Sequence, residues 1–247
     1  MSVLKKGITK DNFHKYIDDI LTENEKRHYE FISPYNQITG EGSPIKRFEF
    51  KFSPTEKVML PQPMSVRTDI ATIMKFGDLR TFCRETTDTP KEADLAYKAL
   101  KESIQRTRLV YDFEFWAITC CKIQDKVTKQ PIPFRLRVPQ RILLKKLEEM
   151  RTGGLPIRVI ICKARQWGGS TLVQLWMSWI QLFIKENWHS AIIADVENQA
   201  KNIRAMYTRM AEKHPKEIQQ VEFSPFEGGQ KAKIIKSRGC IIDIGSA

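Results

Sequence analysis

The sequence predicts an α/β protein in which the strands of a parallel sheet alternate with helices. The segments IRVIICK (157–163) and HSAIIAD (189–195) are continuous apolar runs rich in β-branched residues. Such runs are typical of strands buried on both faces of a parallel sheet. Each run is followed by a helical pattern, TLVQLWMSWIQLFIKEN after the first and VENQAKNIRAMYTRMAEKHP after the second. This order and spacing favour βαβ units with right-handed crossovers.

The preceding 150 residues predict a mainly helical region. Residues 1–30 have a polar helical pattern, and 66–82 and 90–121 are helical as well. Five prolines between 33 and 67 exclude a long helix there, so we expect an extended connector with one short strand at RFEFKF (47–52). The remaining predictions are an aromatic core cluster at 111–116, a helix over Pro139–Met150 that ends at Gly153-Gly154, and a hairpin formed by KAKIIKS and CIIDIGS.

Composition excludes several protein classes. With 247 residues, 41% of them hydrophobic, and 13 Phe, 5 Trp and 6 Tyr, the chain is long and apolar enough to bury a core and is not disordered throughout. No apolar run reaches the roughly 20 residues that span a bilayer, and no secretory signal follows the first lysines, so we expect a cytosolic protein. Five cysteines without a C-x-x-C pair and four scattered histidines favour reduced thiols over a metal centre or a disulfide framework.

The net charge of +12 indicates attraction to polyanions such as nucleic acid or nucleotides, and this attraction should weaken with salt. Ordinary solvated lysines explain the charge equally well.

The turn after the first predicted strand has the features of a phosphate site. Backbone N–H groups and the positive end of the following helix converge there. The phosphate-loop spacing G-x-x-x-x-G-K-[ST] aligns with eight residues of this chain. The alignment keeps the second glycine and the hydroxyl but exchanges the first glycine and the lysine of the motif, which are Lys163 and Gly169 here. The aligned residues are Lys163, Ala164, Arg165, Gln166, Trp167, Gly168, Gly169 and Ser170.

The exchange is physically tolerable, because the flexible stem of a lysine reaches the β- and γ-phosphates from more than one anchor. In this interpretation Lys163 supplies the charge, and Gly168 and Gly169 let the backbone approach the phosphates. The Ser170 hydroxyl would bind Mg²⁺, with Thr171 as a weaker second candidate. A plain strand–helix turn remains the alternative.

The segment KARQWGGSTLVQ resembles the Walker A region of the large terminase subunit, the DNA-packaging motor of tailed bacteriophages and related viruses. That family often carries an Arg-Gln pair, as at Arg165-Gln166, and some members place the lysine first, as Lys163 is here. Upstream, DFEFWAITCCKIQDKVTKQPIPFRLRVPQRILL is similar to the entry of the family's ATPase domain, and Gln140 matches its adenine-recognising glutamine. Downstream, IIADVENQAKNIRAMYTRMAEKHP and KSRGCIIDIGSA are similar to the family's second strand–helix pair and hairpin. The resemblance covers about residues 110–247, whereas residues 1–109 carry none.

The resemblance implies a P-loop NTPase of the RecA-like, additional-strand type that binds ATP and Mg²⁺. Lys163 and Arg165 would be the catalytic residues, with Arg165 at the γ-phosphate; a solvated loop cation is an equal interpretation of Arg165. Gln140 would select adenine, or would merely cap or face solvent. Trp167 would cover the loop or be a packing residue. The implied partners are double-stranded DNA, the portal protein and the small terminase subunit. The implied setting is a homo-oligomeric ring on the portal in the host cytoplasm, without membrane contact.

Two departures limit the implied activity. Gly169 stands where most P-loop proteins have lysine, so competence depends on Lys163. The family's apolar strand ending in Asp-Glu is missing, since Val196 follows Asp195 and Ile244 follows Asp243. The coupling motif and the nuclease domain are missing too, so we expect the front part of a longer protein, with a sheet incomplete at its C-terminus and little or no ATP hydrolysis by this chain alone.

Two alternatives remain from the sequence. One is a helicase-like P-loop translocase, which would differ only in the chain beyond residue 247. The other is a non-catalytic, basic DNA-binding or assembly protein in which the phosphate-like turn has only a structural role.

Overall fold

The computed structural model describes residues 35–125, 128–162, 167–215 and 232–247, together with residue 22. It is a mixed α/β structure whose N-terminal region is mostly helical. The predicted N-terminal helix over 1–30 lies outside the described residues apart from residue 22. No helix in the described ranges is long and apolar enough to span a membrane.

The region predicted as an extended connector is a β-hairpin. The predicted strand at 47–52 is present as β1 (Arg47–Ser53), but the connector has a second strand, β2 (Glu56–Pro61), which pairs with it in antiparallel register. A 3₁₀ turn (Gln62–Val66) follows. Pro54 lies in the turn between the strands and Pro61 at the end of β2, where no ladder hydrogen bond is lost. The connector prediction was wrong because alternate residues of both strands carry apolar side chains into a core.

Three helices pack on this hairpin, and local sequence signals set their ends. They are α1 (Thr68–Lys75), α2 (Leu79–Thr86) and α3 (Pro90–Tyr111). Gly77 breaks the predicted 66–82 helix with a φ of 88°. Asp78 caps α2 by accepting from the Thr81 backbone N–H at 2.9 Å. A Thr89–Glu92 capping box begins α3. The buried residues here, which we call the N-terminal core, are Phe50, Phe52, Val58, Leu60, Met64, Ile70, Ile73, Leu79, Cys83, Ala93, Tyr97 and Ile104.

A second core begins at Leu109, and α3 runs continuously from one core into the other. Whether a domain boundary lies at 109–110, as predicted, stays a prediction. The second core is built on α4 (Phe113–Cys120), α5 (Val138–Thr152) and α6 (Gly169–Trp179), which continues as a π-turn over Ile180–Ile184. The predicted helix after Pro139 is confirmed by α5. The predicted aromatic cluster is core, with Trp116 fully buried.

Two small sheets complete the structure. A short hairpin pairs β3 (Lys122–Gln124) with β4 (Pro131–Pro133). A three-stranded sheet has the order β5 (His189–Ala194), β7 (Cys240–Ser246), β6 (Ala232–Ile235). β5 and β7 are parallel, whereas β6 and β7 form the predicted antiparallel hairpin. Helix α7 (Glu197–Lys213) contacts β5 and β7.

The first predicted strand is absent from the described part of the chain. Residues 157–162 have no regular secondary structure, and Ile160 is fully exposed. An apolar run becomes a buried strand only where neighbouring strands accept its hydrogen bonds, and no described strand pairs with this one. The prediction that β5 is buried on both faces was also wrong. Ser190 and Ala194 are buried, while Ala191 and Ile193 on the opposite face are exposed.

The sequence favours reduced, buried thiols. All five cysteines are free and four are buried, whereas Cys162 is exposed, so burial was wrongly predicted for this one.

Candidate anion-binding turn at the start of helix α6

The predicted phosphate turn leads directly into helix α6. Gly168 is the N-cap residue and has a left-handed conformation with φ 87° and ψ 20°, and Gly169 is the first helical residue. No side chain in the described part of the chain caps this end, and its first turn has no acidic residue. The first N–H groups of a helix have no intrahelical partner, so this end has the positive potential that binds anions. Lys163, Ala164, Arg165 and Gln166 lie outside the described residues.

Close approach favours glycine at both positions, and the positive φ of Gly168 favours it there by conformation as well. A Cβ added to Gly168 would lie 2.6 Å from Gln140 Nε2, and one added to Gly169 would lie 2.7 Å from the Trp167 ring. Trp167 therefore packs over the first residue of α6. This position agrees with the sequence interpretation of Trp167 as a cover or packing residue.

Gln140 joins the start of α5 to the turn. Its side chain is buried, its Oε1 accepts from the Arg137 backbone N–H at 2.8 Å, and its Nε2 donates to the Gly168 carbonyl at 2.9 Å. The capping interpretation of Gln140 is thus present in the structure. Each end of the amide makes one hydrogen bond within the fold, so adenine recognition would use the remaining N–H and lone pair or would require one of these bonds to open.

A crevice of about 340 Å³ opens at this turn. Gly169, Ser170 and Gln174 of α6 form one side, the carboxyl end of β5 forms another, and α7 closes it. Ligands in open α/β sheets bind outside the carboxyl ends of strands, and this volume lies within the roughly 300–1,000 Å³ of small-molecule sites. Its complete lining is Ile161, Gly169, Ser170, Val173, Gln174, Ile192, Ile193, Ala194, Asp195, Gln199 and Ile203. Thr171 follows Ser170 in α6 but does not line the crevice.

Two buried polar atoms at this end of α6 have no hydrogen-bond partner among the described residues. Trp167 Nε1 is a donor and Gln174 Oε1 is an acceptor. Unpartnered buried polar atoms are costly, so each atom marks a place where a ligand or an ordered water would be stabilised. The donors at this end of α6 fit a phosphate group. The Ser170 hydroxyl fits one position in the shell of a hard cation, and no cluster of three or more His, Cys, Asp or Glu able to hold a metal occurs in the described ranges.

A larger cleft of about 540 Å³ lies elsewhere, between the 43–47 segment, the 3₁₀ turn after β2 and the end of α5. None of the sequence-predicted site residues lines it. Its buried charged groups are paired with one another: Arg151 with Glu148 at 2.6 Å, and Arg47 with Asp112 at 2.6 Å. We favour the smaller crevice because it combines a free helix N-terminus with the carboxyl end of a strand.

The sequence analysis missed a buried ionic network where the two cores meet. Arg47 and Arg108 donate to Asp112, and Arg47 also pairs with Glu114, which accepts from the Tyr35 hydroxyl at 2.8 Å. All four charged side chains are at most 3% exposed. Burial opposes ionisation of Asp112, but the two guanidinium groups outweigh it and hold the pKa of this carboxyl below its usual range. Two acids within the apolar stretch DFEFW were the available signal.

Comparison with known proteins gives a distant likeness among solved structures. No family model and no curated protein matches the chain. Among solved structures, the crystal structure of the HK97 bacteriophage large terminase is similar to 57% of this chain, with 17% sequence identity and a TM-score of 0.43. The chain spans 27% of that terminase. A likeness at this level identifies neither a family nor a site.

Proposed function

We propose that this chain is the nucleotide-binding part of a DNA-packaging ATPase of the large terminase type. The observation that carries the proposal is the start of α6. There, two glycines present an uncapped helix N-terminus to a crevice at the carboxyl end of β5. An anion is the ligand that such an end favours.

In this proposal the backbone N–H groups of Gly169 and Ser170 bind the phosphates of ATP, and Lys163 neutralises their charge. Arg165 approaches the γ-phosphate, where hydrolysis develops negative charge. The Ser170 hydroxyl holds Mg²⁺, which when bound supplies a further positive charge at the phosphates, and Thr171 is the second candidate for this position. Gln140 recognises adenine by exchanging one of its present bonds.

The unpaired apolar surfaces support a larger sheet than the three described strands. Ile157, Val159, Ile160 and Ile161 are exposed, and the second edge of β5 has no strand partner in the described ranges. Ile161 and Ile192 both line the crevice. We propose that the sheet of β5, β7 and β6 is part of a larger P-loop sheet.

Hydrolysis by this chain should be slow or absent. Asp195 directly follows β5 and Asp243 lies within β7, yet neither is followed by a second acid that would polarise water. The proposed partners are double-stranded DNA, the portal protein and the small terminase subunit, on a homo-oligomeric ring.

Calorimetric titration with ATP and Mg²⁺ tests the proposal. We expect binding that Lys163→Ala abolishes and that Lys98→Ala preserves. Lys98 is an exposed lysine of α3, so its replacement removes the same charge far from the turn. Absence of ATP binding, or equal binding by both variants, would contradict the proposal.

A second candidate is a basic nucleic-acid-binding protein whose turn is structural. The Gln140 amide, which is bonded at both ends within the fold, and the net charge of +12 favour it. DNA binding that weakens with salt but is indifferent to ATP and to Lys163→Ala would identify this function.

A further inference from the structure

Gln174 is a buried amide of which only one end is bonded. Its side chain lies on α6, one turn after Ser170, and is 1% exposed. Its Nε2 donates to the Ile203 carbonyl of α7 at 3.2 Å, whereas its Oε1 has no partner among the described residues. The bond to α7 holds the amide in one orientation. The oxygen is therefore an unused acceptor of a residue that lines the crevice.

The chemistry of an acceptor restricts what Gln174 can bind. Phosphate oxygens accept hydrogen bonds, so they offer nothing to an amide oxygen. Water bound to a cation is a strong donor. Residues four apart on a helix lie on the same face, with about 5–6 Å between their Cβ atoms. Ser170 and Gln174 therefore line the crevice at a spacing that one water molecule can bridge.

We infer that Gln174 is a positioning residue for a metal-bound water of the nucleotide site. Its Oε1 accepts a hydrogen bond from a water in the shell of the Mg²⁺ that Ser170 holds. Gln174 contacts neither phosphate nor the reacting atoms, and acts through this water. The inference rests on the proposed function and adds a residue to its site.

Two substitutions separate the acceptor from the packing of the side chain. Both substitutions remove the Nε2 donor to the Ile203 carbonyl. They differ in the acceptor, because Gln174→Met keeps nearly the same volume without one, whereas Gln174→Glu keeps an acceptor in place. ATP affinity is measured by calorimetry for the full chain, once with Mg²⁺ and once with EDTA. The ratio of the two affinities isolates the contribution of the metal.

We expect Gln174→Met to lower this ratio about fivefold, the usual worth of one hydrogen bond, and to leave the EDTA affinity within about twofold of wild type. Gln174→Glu should keep the ratio. If the methionine variant does not fold, Gln174→Asn, which withdraws the carbonyl by one methylene, has the same expected loss.

The possible failures are distinguishable. A wild-type protein that binds no ATP in either condition overturns the proposed function and this inference together. A wild-type protein with a clear Mg²⁺ gain that the methionine or asparagine variant retains overturns this inference alone. A uniform loss with and without Mg²⁺ also overturns it, because it shows a purely structural role.

Discussion

Replacing Asp112 with Asn tests the buried ionic network that joins the two cores. Asp112 accepts from Arg47 at 2.6 and 2.8 Å and from Arg108 Nε at 2.8 Å, and its side chain is 1% exposed. Asn retains the helix cap, in which the carboxylate accepts from the Phe115 backbone N–H at 3.2 Å. The substitution thus removes the charge and replaces one acceptor oxygen by an NH₂ group, which cannot accept from the arginines. Two buried guanidinium groups then share the single carboxylate of Glu114.

Breaking a buried ion pair by removing one partner costs about 3–5 kcal/mol, because an uncompensated charge stays buried. This is a large part of the roughly 5–15 kcal/mol that stabilises a typical domain. We therefore expect that Asp112→Asn strongly lowers the midpoint of urea unfolding at pH 7, as monitored by circular dichroism.

The control is Glu102→Gln, which removes a carboxylate from an exposed i,i+4 pair on α3. Glu102 is 64% exposed and its partner Arg106 is 56% exposed, so the loss should stay below about 0.5 kcal/mol. If the free energy of unfolding of Asp112→Asn lies within about 1 kcal/mol of the wild-type value, or equals that of the control, the network does not stabilise the junction of the two cores and the reasoning is refuted.

Three further predictions concern other parts of the molecule. Burial lowers the pKa of His214 from 6.5 to about 4, so the free energy of unfolding should fall by up to about 3 kcal/mol as the pH drops from 6.5 to 4. His214→Gln should flatten this dependence in urea titrations, and an unchanged slope would contradict it. Gly168→Ala should destabilise the protein more than Gly77→Ala, since both have φ near 88° but only the former meets Gln140; equal melting temperatures would contradict this. A thiol reagent should modify Cys162 in the native protein and the four buried thiols only after denaturation, because burial raises the pKa of three of them.

The local elements were largely predictable because their signals are local. Pro at the first turn and Gly at the end define α5, and apolar β-branched residues define β5 and β7. The missed strand β2 shows the limit of such reasoning. The prolines of 33–67 predict a stretch without long helices or strands. The hairpin forms because β1 and β2 pair and carry their apolar side chains into the N-terminal core. The strand predicted from the apolar run at 157–162 is not present. A strand needs neighbouring strands to pair with, and the local sequence does not supply them.

The sequence by itself determined most of the helical segments, the β6–β7 hairpin and the position of the glycine turn before α6. Each of these depends on residues within a few positions of one another. Only the tertiary structure decided that Gln140 bonds to Gly168, that β5 pairs in parallel with β7, and that Asp112 lies between two arginines. Most of these contacts join residues 28 to 65 positions apart. They form only where several elements pack together, because burial excludes water and makes each polar group depend on a partner brought in from elsewhere in the chain.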